Sequence, residues 1–233
     1  MRLLIVNPNT TASMTEKAAI AARAVARPGT EIIATNPKDG PASIQGFHDV
    51  AMCLPGLLAE VSRFDDIDAV IIACFDDTGL DAARCAVDVP VLGIGEAAFH
   101  AASMLSCRFS VVTTLARSVP GIEANLVRYG LMARCTGVRA SDIPVLDLEA
   151  DDSGTYGRLS KEVRSAIEED HAEAVVLGCA GMTELTKRLE AEHGAPMIDG
   201  IVCATAFAEA LVASGLRTSK LGGYADASMT SPA

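Results

Sequence analysis

Short β-branched apolar runs alternate along the chain with Ala-rich helical stretches. Leu3-Leu4-Ile5-Val6 reads as a strand that stops at Asn7-Pro8. Ser13 and Glu16 stand at capping-box spacing, which predicts a helix from there to about Ala26. Glu31-Ile32-Ile33-Ala34 is a second strand, and the loop Asn36 to Pro41 follows it. A helix from about Asp49 to Arg63 leads into an acidic turn, Asp65 to Asp68. Ala69-Val70-Ile71-Ile72-Ala73 is a buried strand and Val89-Pro90-Val91-Leu92 another, followed by a helix from Glu96. Phe109-Ser110-Val111-Val112 and Ala174-Val175-Val176-Leu177 complete the clear strands. Continuous apolar strands joined by helices predict a parallel sheet covered on both faces, hence an α/β fold. The stretch from Arg217 onward is polar and Gly/Ser-rich, which predicts a loosely held tail over 217–233.

The pattern repeats. Ile67 to Cys74 aligns with Ala172 to Cys179, which puts the two cysteines 105 residues apart. Val89-Pro90-Val91-Leu92 matches Ala195-Pro196-Met197-Ile198, and Leu4-Ile5-Val6-Asn7-Pro8 matches Ser110-Val111-Val112-Thr113-Thr114, both offset by 106. The chain therefore reads as two similar α/β halves. Ligands of such sheets bind beyond the carboxyl ends of the strands, so a cleft between facing halves would carry one cysteine on each wall.

Composition narrows the function. The 233 residues are half apolar, with a net charge of −11 and 4% aromatics without Trp. Mean hydropathy is +0.30. A chain this apolar buries a core. Its acidity lacks the basic footprint of a nucleic-acid binder or a membrane-surface protein. The longest wholly apolar run, Ala69 to Phe75, is far too short to span a bilayer, and the start lacks a signal-peptide core. These features predict a soluble cytoplasmic protein with reduced thiols. The seven cysteines are odd in number and contain no C-x-x-C pair, against a disulfide framework or a zinc ribbon. The four histidines have no ligand spacing, and no metal site is expected.

Cys74 and Cys179 each end a buried strand, just before a predicted helix opening at Asp77-Thr78-Gly79 or Gly181-Met182-Thr183. A helix N-terminus there would lower the thiol pKa toward neutrality, where a group serves well as acid and base. Two such thiols on opposite sides of one carbon could take a proton from one face and return it to the other. Pseudo-two-fold symmetry suits a substrate and product that are mirror images. Against this stands simple packing, since cysteine is among the most buried residue types. The matched positions favour chemistry.

Asn7-Pro8-Asn9-Thr10, Ala73-Cys74-Phe75-Asp76-Asp77-Thr78-Gly79 and Leu177-Gly178-Cys179-Ala180-Gly181-Met182 resemble the Asp/Glu/hydantoin racemase superfamily. Val91-Leu92-Gly93-Ile94-Gly95-Glu96 and Thr218-Ser219-Lys220-Leu221-Gly222-Gly223-Tyr224 resemble its hydantoin racemase branch. The resemblance implies a cofactor-independent racemase with Cys74 and Cys179 as catalytic residues, in two Rossmann-like lobes related by a pseudo-two-fold axis, and a homo-oligomer. It implies that the lobes exchange their last helices. Residues 1–96 with 200–216 would form the first lobe and 97–199 the second. Both cysteines are kept, which argues against the decarboxylase relatives.

The substrate follows from the donors near these motifs. An amino-acid racemase would want Arg or Lys for a carboxylate. Neutral donors stand here instead: Asn9, Ser43, Thr113, Thr114 and backbone amides around Asp76, Gly178, Ala180 and Gly181. They favour a neutral cyclic ureide, with Ile44 and Phe75 against its apolar 5-substituent. Allantoin is the near alternative, an aspartate/glutamate-type substrate a more distant one. A ureide-binding protein and a redox-sensing thiol protein are the rivals of other classes. Gly93-Ile94-Gly95-Glu96-Ala97-Ala98 matches a dinucleotide-binding pattern, but Thr113-Thr114 stand where its acidic residue belongs, so close helix–strand packing is the expectation.

Overall fold

The computed structural model describes residues 1–149 and 153–225. Eight strands form two four-stranded parallel sheets. The first contains β1 (Arg2–Val6), β2 (Glu31–Thr35), β3 (Ala69–Ile72) and β4 (Val91–Gly93), in the order β2-β1-β3-β4. The second contains β5 (Phe109–Thr113), β6 (Cys135–Ala140), β7 (Ala174–Gly178) and β8 (Met197–Asp199), in the order β6-β5-β7-β8. The two orders are the same order displaced by one half of the chain. The architecture is two Rossmann-like α/β lobes.

The strands are apolar throughout because each sheet is covered twice. Leu3 and Ile5 of β1 enter the central core, while Leu4 and Val6 enter a separate outer core. The second lobe has its own outer core around Val112, Val163 and Leu177. The central core belongs to both lobes. At its middle the fully buried Phe99 packs edge-on against Phe75, stacks on Phe109 and tilts against Tyr129.

Helices α1 (Ala12–Val25), α2 (Phe47–Val61) and α3 (Leu80–Ala86) connect the first sheet. Helices α5 (Val119–Arg128), α6 (Ser153–Glu168) and α7 (Thr186–His193) connect the second. The remaining pair, α4 (Ile94–Leu105) and α8 (Gly200–Ala213), pack on each other. Helix α4 reaches β7 of the second sheet, and α8 reaches β3 and α1 of the first. This crossing joins the lobes through buried apolar surface, so their relative placement is set by packing.

Four local expectations are corrected. Helix α1 begins at Ala12 with Thr11 at the N-cap, so Ser13 lies inside it and the capping box does not start it. Strand β6 was not read from the sequence. It is a half-exposed edge strand with Thr136, Gly137 and Arg139 breaking its apolar pattern. The segment after α8 is tied down over residues 217–225. Thr218 bonds the carbonyls of Asp88 and Val89, and Lys220 donates to the carbonyls of Arg84 and Cys85. A polar segment is held here because its donors meet carbonyls left open beyond α3. Residues 226–233 of the expected tail lie outside the described residues. The fourth correction concerns the thiols and is given with the site.

Candidate active site

Each strand that carries site residues stops at the same level of its sheet. Val6 pairs with Ile72 at the end of the first sheet, and Thr113 pairs with Gly178 at the end of the second. The chain beyond these ends supplies the walls of one small cavity, of about 40 Å³. Cys74 and Cys179 both line it. Room on this scale suits one or two waters.

Of the residues expected from the sequence, Asn9, Ile44, Phe75, Asp76, Thr113, Thr114, Gly178 and Ala180 line this cavity with the two cysteines. Ser43 does not. Its hydroxyl is engaged by the Gln45 side chain, next to Ile44. Gly181 stands outside the lining but within reach of the Cys179 thiol. A Cβ on it would lie 3.6 Å from Sγ. Met14, Ala73, Ser118 and Val145 also line the cavity and were missed. Met14 and Ala73 sit beside motif residues. Ser118 and Val145 arrive from short 3₁₀ segments after β5 and β6, and no motif marks them.

The positions of several of these groups have identifiable causes. Asn9 accepts hydrogen bonds at Oδ1 from Asn7 Nδ2 and the Thr11 amide, both at 2.9 Å. Its own Nδ2 has only the Met14 sulfur, at 3.6 Å, a weak acceptor. A carboxamide donor thus faces the cavity from a stapled loop. Thr113 donates to the Gly178 carbonyl at 3.0 Å, and a Cβ on Gly178 would fall 2.9 Å from the Thr113 Cβ. Glycine at 178 lets β5 and β7 approach closely just before Cys179. Arg117, next to Ser118 in sequence, donates to Gln45, next to Ile44, at 2.9 Å. This bond links the two lobes.

The thiols do not have the depressed pKa expected of them. Burial pushes Cys179 up to about 11, and the Asp76 charge adds to it against one bond from the Gly181 amide. Cys74 is raised well above its ordinary value, first by burial and then by Asp76. The Thr78 hydroxyl and the Asp76 amide pull weakly the other way. The helix-dipole argument fails on distance. Helix α3 starts only at Leu80, and a 3₁₀ segment, Ala180–Leu185, separates Cys179 from α7. Both thiols therefore rest protonated at neutral pH. Burial also lifts the Asp76 carboxyl to about 6.

Among the described residues no Arg, Lys or His lines the cavity. No group of three or more His, Cys, Asp or Glu suited to a metal occurs among the described residues. A roomier depression of about 540 Å³ lies beside Phe64, Cys85 and Lys220, at the opposite end of the first sheet. Chemistry rather than size distinguishes the site.

The Asp/Glu/Hydantoin racemase family model matches residues 3–208. The chain belongs to that family. This racemase is 49% identical over 227 residues to a hydantoin racemase of Rhizobium meliloti, covering 97% of this chain and 94% of that protein. Its fold superposes on an allantoin racemase from Klebsiella pneumoniae with a TM-score of 0.95 and 41% identity, covering 100% and 96% of the two chains. An allantoin racemase from Pseudomonas fluorescens gives 0.94 and 43%, with 97% of each chain covered. The racemase thus stands at comparable distances from relatives named for two ureides. Among its described residues no helix is long and apolar enough to cross a membrane. Its seven cysteines are all free.

Proposed function

We propose that this enzyme racemises 5-monosubstituted hydantoins by two-base proton transfer at C5. One cysteine, as thiolate, takes the C5 proton from one face of the ring. The electron pair moves into the adjacent carbonyl as an enolate. The other cysteine, as thiol, returns a proton to the opposite face, and the two thiols exchange protonation states over the turnover. The observation that carries this reading is the convergence of Cys74 and Cys179, from matched strand ends, on one cavity without a cation.

The absence of a cation from the lining disfavours a substrate anchored by a carboxylate. Asp76 adds to that disfavour by like charge. A neutral ureide fits better. The Asn9 carboxamide and nearby backbone amides are suited to its carbonyls, and Ile44, Phe75 and Val145 to an apolar substituent. Allantoin is the second reading, favoured by the likeness to allantoin racemases and by Ser118 and Thr114 in the lining. Both bases come from the chain itself, so the reading calls on no cofactor. We further infer the lobe division at 1–96 with 200–216 and 97–199, a cytoplasmic setting for the free thiols, and a homo-oligomer, which sedimentation would test.

The test is incubation of a pure L-5-alkylhydantoin in D₂O with and without enzyme. Exchange at C5 with rotation decaying to zero, both above the control, is the expected result. No acceleration with the hydantoin but acceleration with allantoin selects the second reading. Cys74→Ser and Cys179→Ser should each stop racemisation. Full activity in both variants overturns the two-thiol mechanism.

A further inference from the structure

Three residues on one face of a second-lobe helix grip the first-lobe turn that carries Cys74. Asn125, Arg128 and Tyr129 stand at i, i+3 and i+4 at the end of α5, so they point the same way. Asn125 Nδ2 donates to the Asp76 carbonyl at 2.8 Å. The Tyr129 hydroxyl donates to Asp77 Oδ2 at 2.7 Å. Arg128 pairs with Asp81 at the start of α3. The gripped residues thus run from Asp76 to Asp81.

Asp77 is the centre of this contact. Its backbone is left-handed, with φ of 50°. That is a costly conformation for a residue with a side chain, and it persists where surrounding bonds hold it. Its amide donates back to the Cys74 carbonyl at 3.0 Å, closing the turn on the cysteine. The residue is 6% exposed, and its carboxylate accepts from the Gly95 and Glu96 amides at 2.9 and 2.7 Å, at the start of α4. Neither Asp77 nor Tyr129 lines the cavity. The matching contact on the other wall is of a different kind. There Ala-rich α1 packs on the 3₁₀ segment after Cys179, and Ala180 joins the apolar cluster of Ala18 and Ala22.

We propose that Tyr129 and Asn125, acting through Asp77 and the Asp76 carbonyl, are positioning residues that fix the Cys74 thiol relative to the opposite wall. The two thiols are then held by different means: Cys179 by apolar packing, Cys74 by hydrogen bonds donated from the other lobe. Loosening the polar contact frees Cys74 and leaves Cys179 where it is. The proposal deepens the two-thiol reading, but its test does not depend on turnover.

The experiment is timed alkylation of the full-length protein with iodoacetamide, with each cysteine followed by peptide mass spectrometry. In Tyr129→Phe the Cys74 rate should rise about tenfold, the weight of one hydrogen bond to a carboxylate, while the Cys179 rate stays as in the parent. Asn125→Ala should act in the same direction. Tyr156→Phe, which removes a hydroxyl bonded to Glu192 elsewhere in the second lobe, should change neither rate. An unchanged Cys74 rate in both Tyr129→Phe and Asn125→Ala overturns the proposal. So does a parallel rise at both cysteines, which marks general loosening. With substrate, Tyr129→Phe should lower kcat and leave KM unchanged. If the parent protein racemises nothing while the Cys74 rate still responds, the functional reading fails and the positioning role stands.

Discussion

The Asp77 carboxylate occupies the space a side chain at Gly93 would fill. A Cβ on Gly93 would lie 2.0 Å from Asp77 Oδ1, and one on Gly95 would lie 2.8 Å from Oδ2. In the second lobe the position matching Gly93, 106 residues on, is Asp199. Asp199 caps its own helix, α8, by accepting from the Val202 amide at 2.9 Å. The first lobe caps α4 with an aspartate borrowed from the Cys74 turn, and glycine at 93 admits it. The dinucleotide-like glycine pattern is thereby explained by packing.

Gly93→Ala should therefore displace the Asp77 carboxylate and destabilise the enzyme by about 1–3 kcal/mol, the usual cost of overpacking. Asp77→Ala alone leaves the Gly95 and Glu96 amides without their acceptor and also destabilises. The double variant should lose less than the two single losses added, because the clash needs both side chains. Thermal unfolding of all three measures the coupling. Strict additivity would contradict this account of Gly93.

Stability should carry a pH signature of the same carboxylate. Burial pushes Asp77 up to about 7, against the pull of the Tyr129 hydroxyl and the Gly95 and Glu96 amides. Between its ordinary value of 3.8 and about 7, the folded chain holds a proton there that the unfolded chain releases. Its contribution to stability is thus most favourable at low pH and declines as pH rises through that window. Asp76, raised to about 6, acts with the same sign. Asp77→Asn removes the larger of the two effects. The variant should show a smaller decline in Tm than the parent from about pH 4 to 7. Equal slopes would place the Asp77 pKa at its ordinary value.

Catalysis should rise with pH. Both thiols rest protonated because they are buried. One must lose its proton before C5 can be attacked. Below the thiol pKa the thiolate fraction grows with pH, so kcat/KM should climb about tenfold per pH unit between about pH 6 and 9. Stopped-time polarimetry on both enantiomers gives the profile. A flat profile would mean that one of the two thiols is already ionised at neutral pH.

Asn9→Asp keeps the acceptor oxygen that staples the loop and removes the donor that faces the cavity. KM for a 5-alkylhydantoin should rise roughly tenfold, about the worth of a lost hydrogen bond plus the added charge. Tm should fall too at neutral pH, because the new carboxylate is buried beside Asp76. An unchanged KM would remove Asn9 from the substrate contacts.

Much of this arrangement is local and so was legible in the sequence. The strand runs from Leu3 to Val6 and from Ala174 to Leu177 are apolar on both faces, and only a doubly covered parallel sheet accepts that. The repeated strand ends, offset by 105 residues at the cysteines and by 106 at the flanking strands, put Cys74 and Cys179 at equivalent levels. Strand β6 was hidden because an edge strand buries too little to need an apolar run. Ser118 and Val145 were hidden because they come from short 3₁₀ segments with no motif of their own. The seating of residues 217–225 depends on carbonyls left open beyond α3, which no local pattern announces.

The sequence by itself determined the two-lobed α/β fold, the repeat, and the place of Cys74 and Cys179 at matched strand ends. Each of these depends on periodicity or short-range spacing. Only the tertiary structure decided the protonation of the thiols and the partners of Asp77. A thiol's pKa depends on how much water the other lobe removes. The acceptor for the α4 amides lies 18 residues upstream of Gly95, and its hydroxyl donor comes from the other lobe. Desolvation and contacts between lobes exist only once the chain has closed on itself.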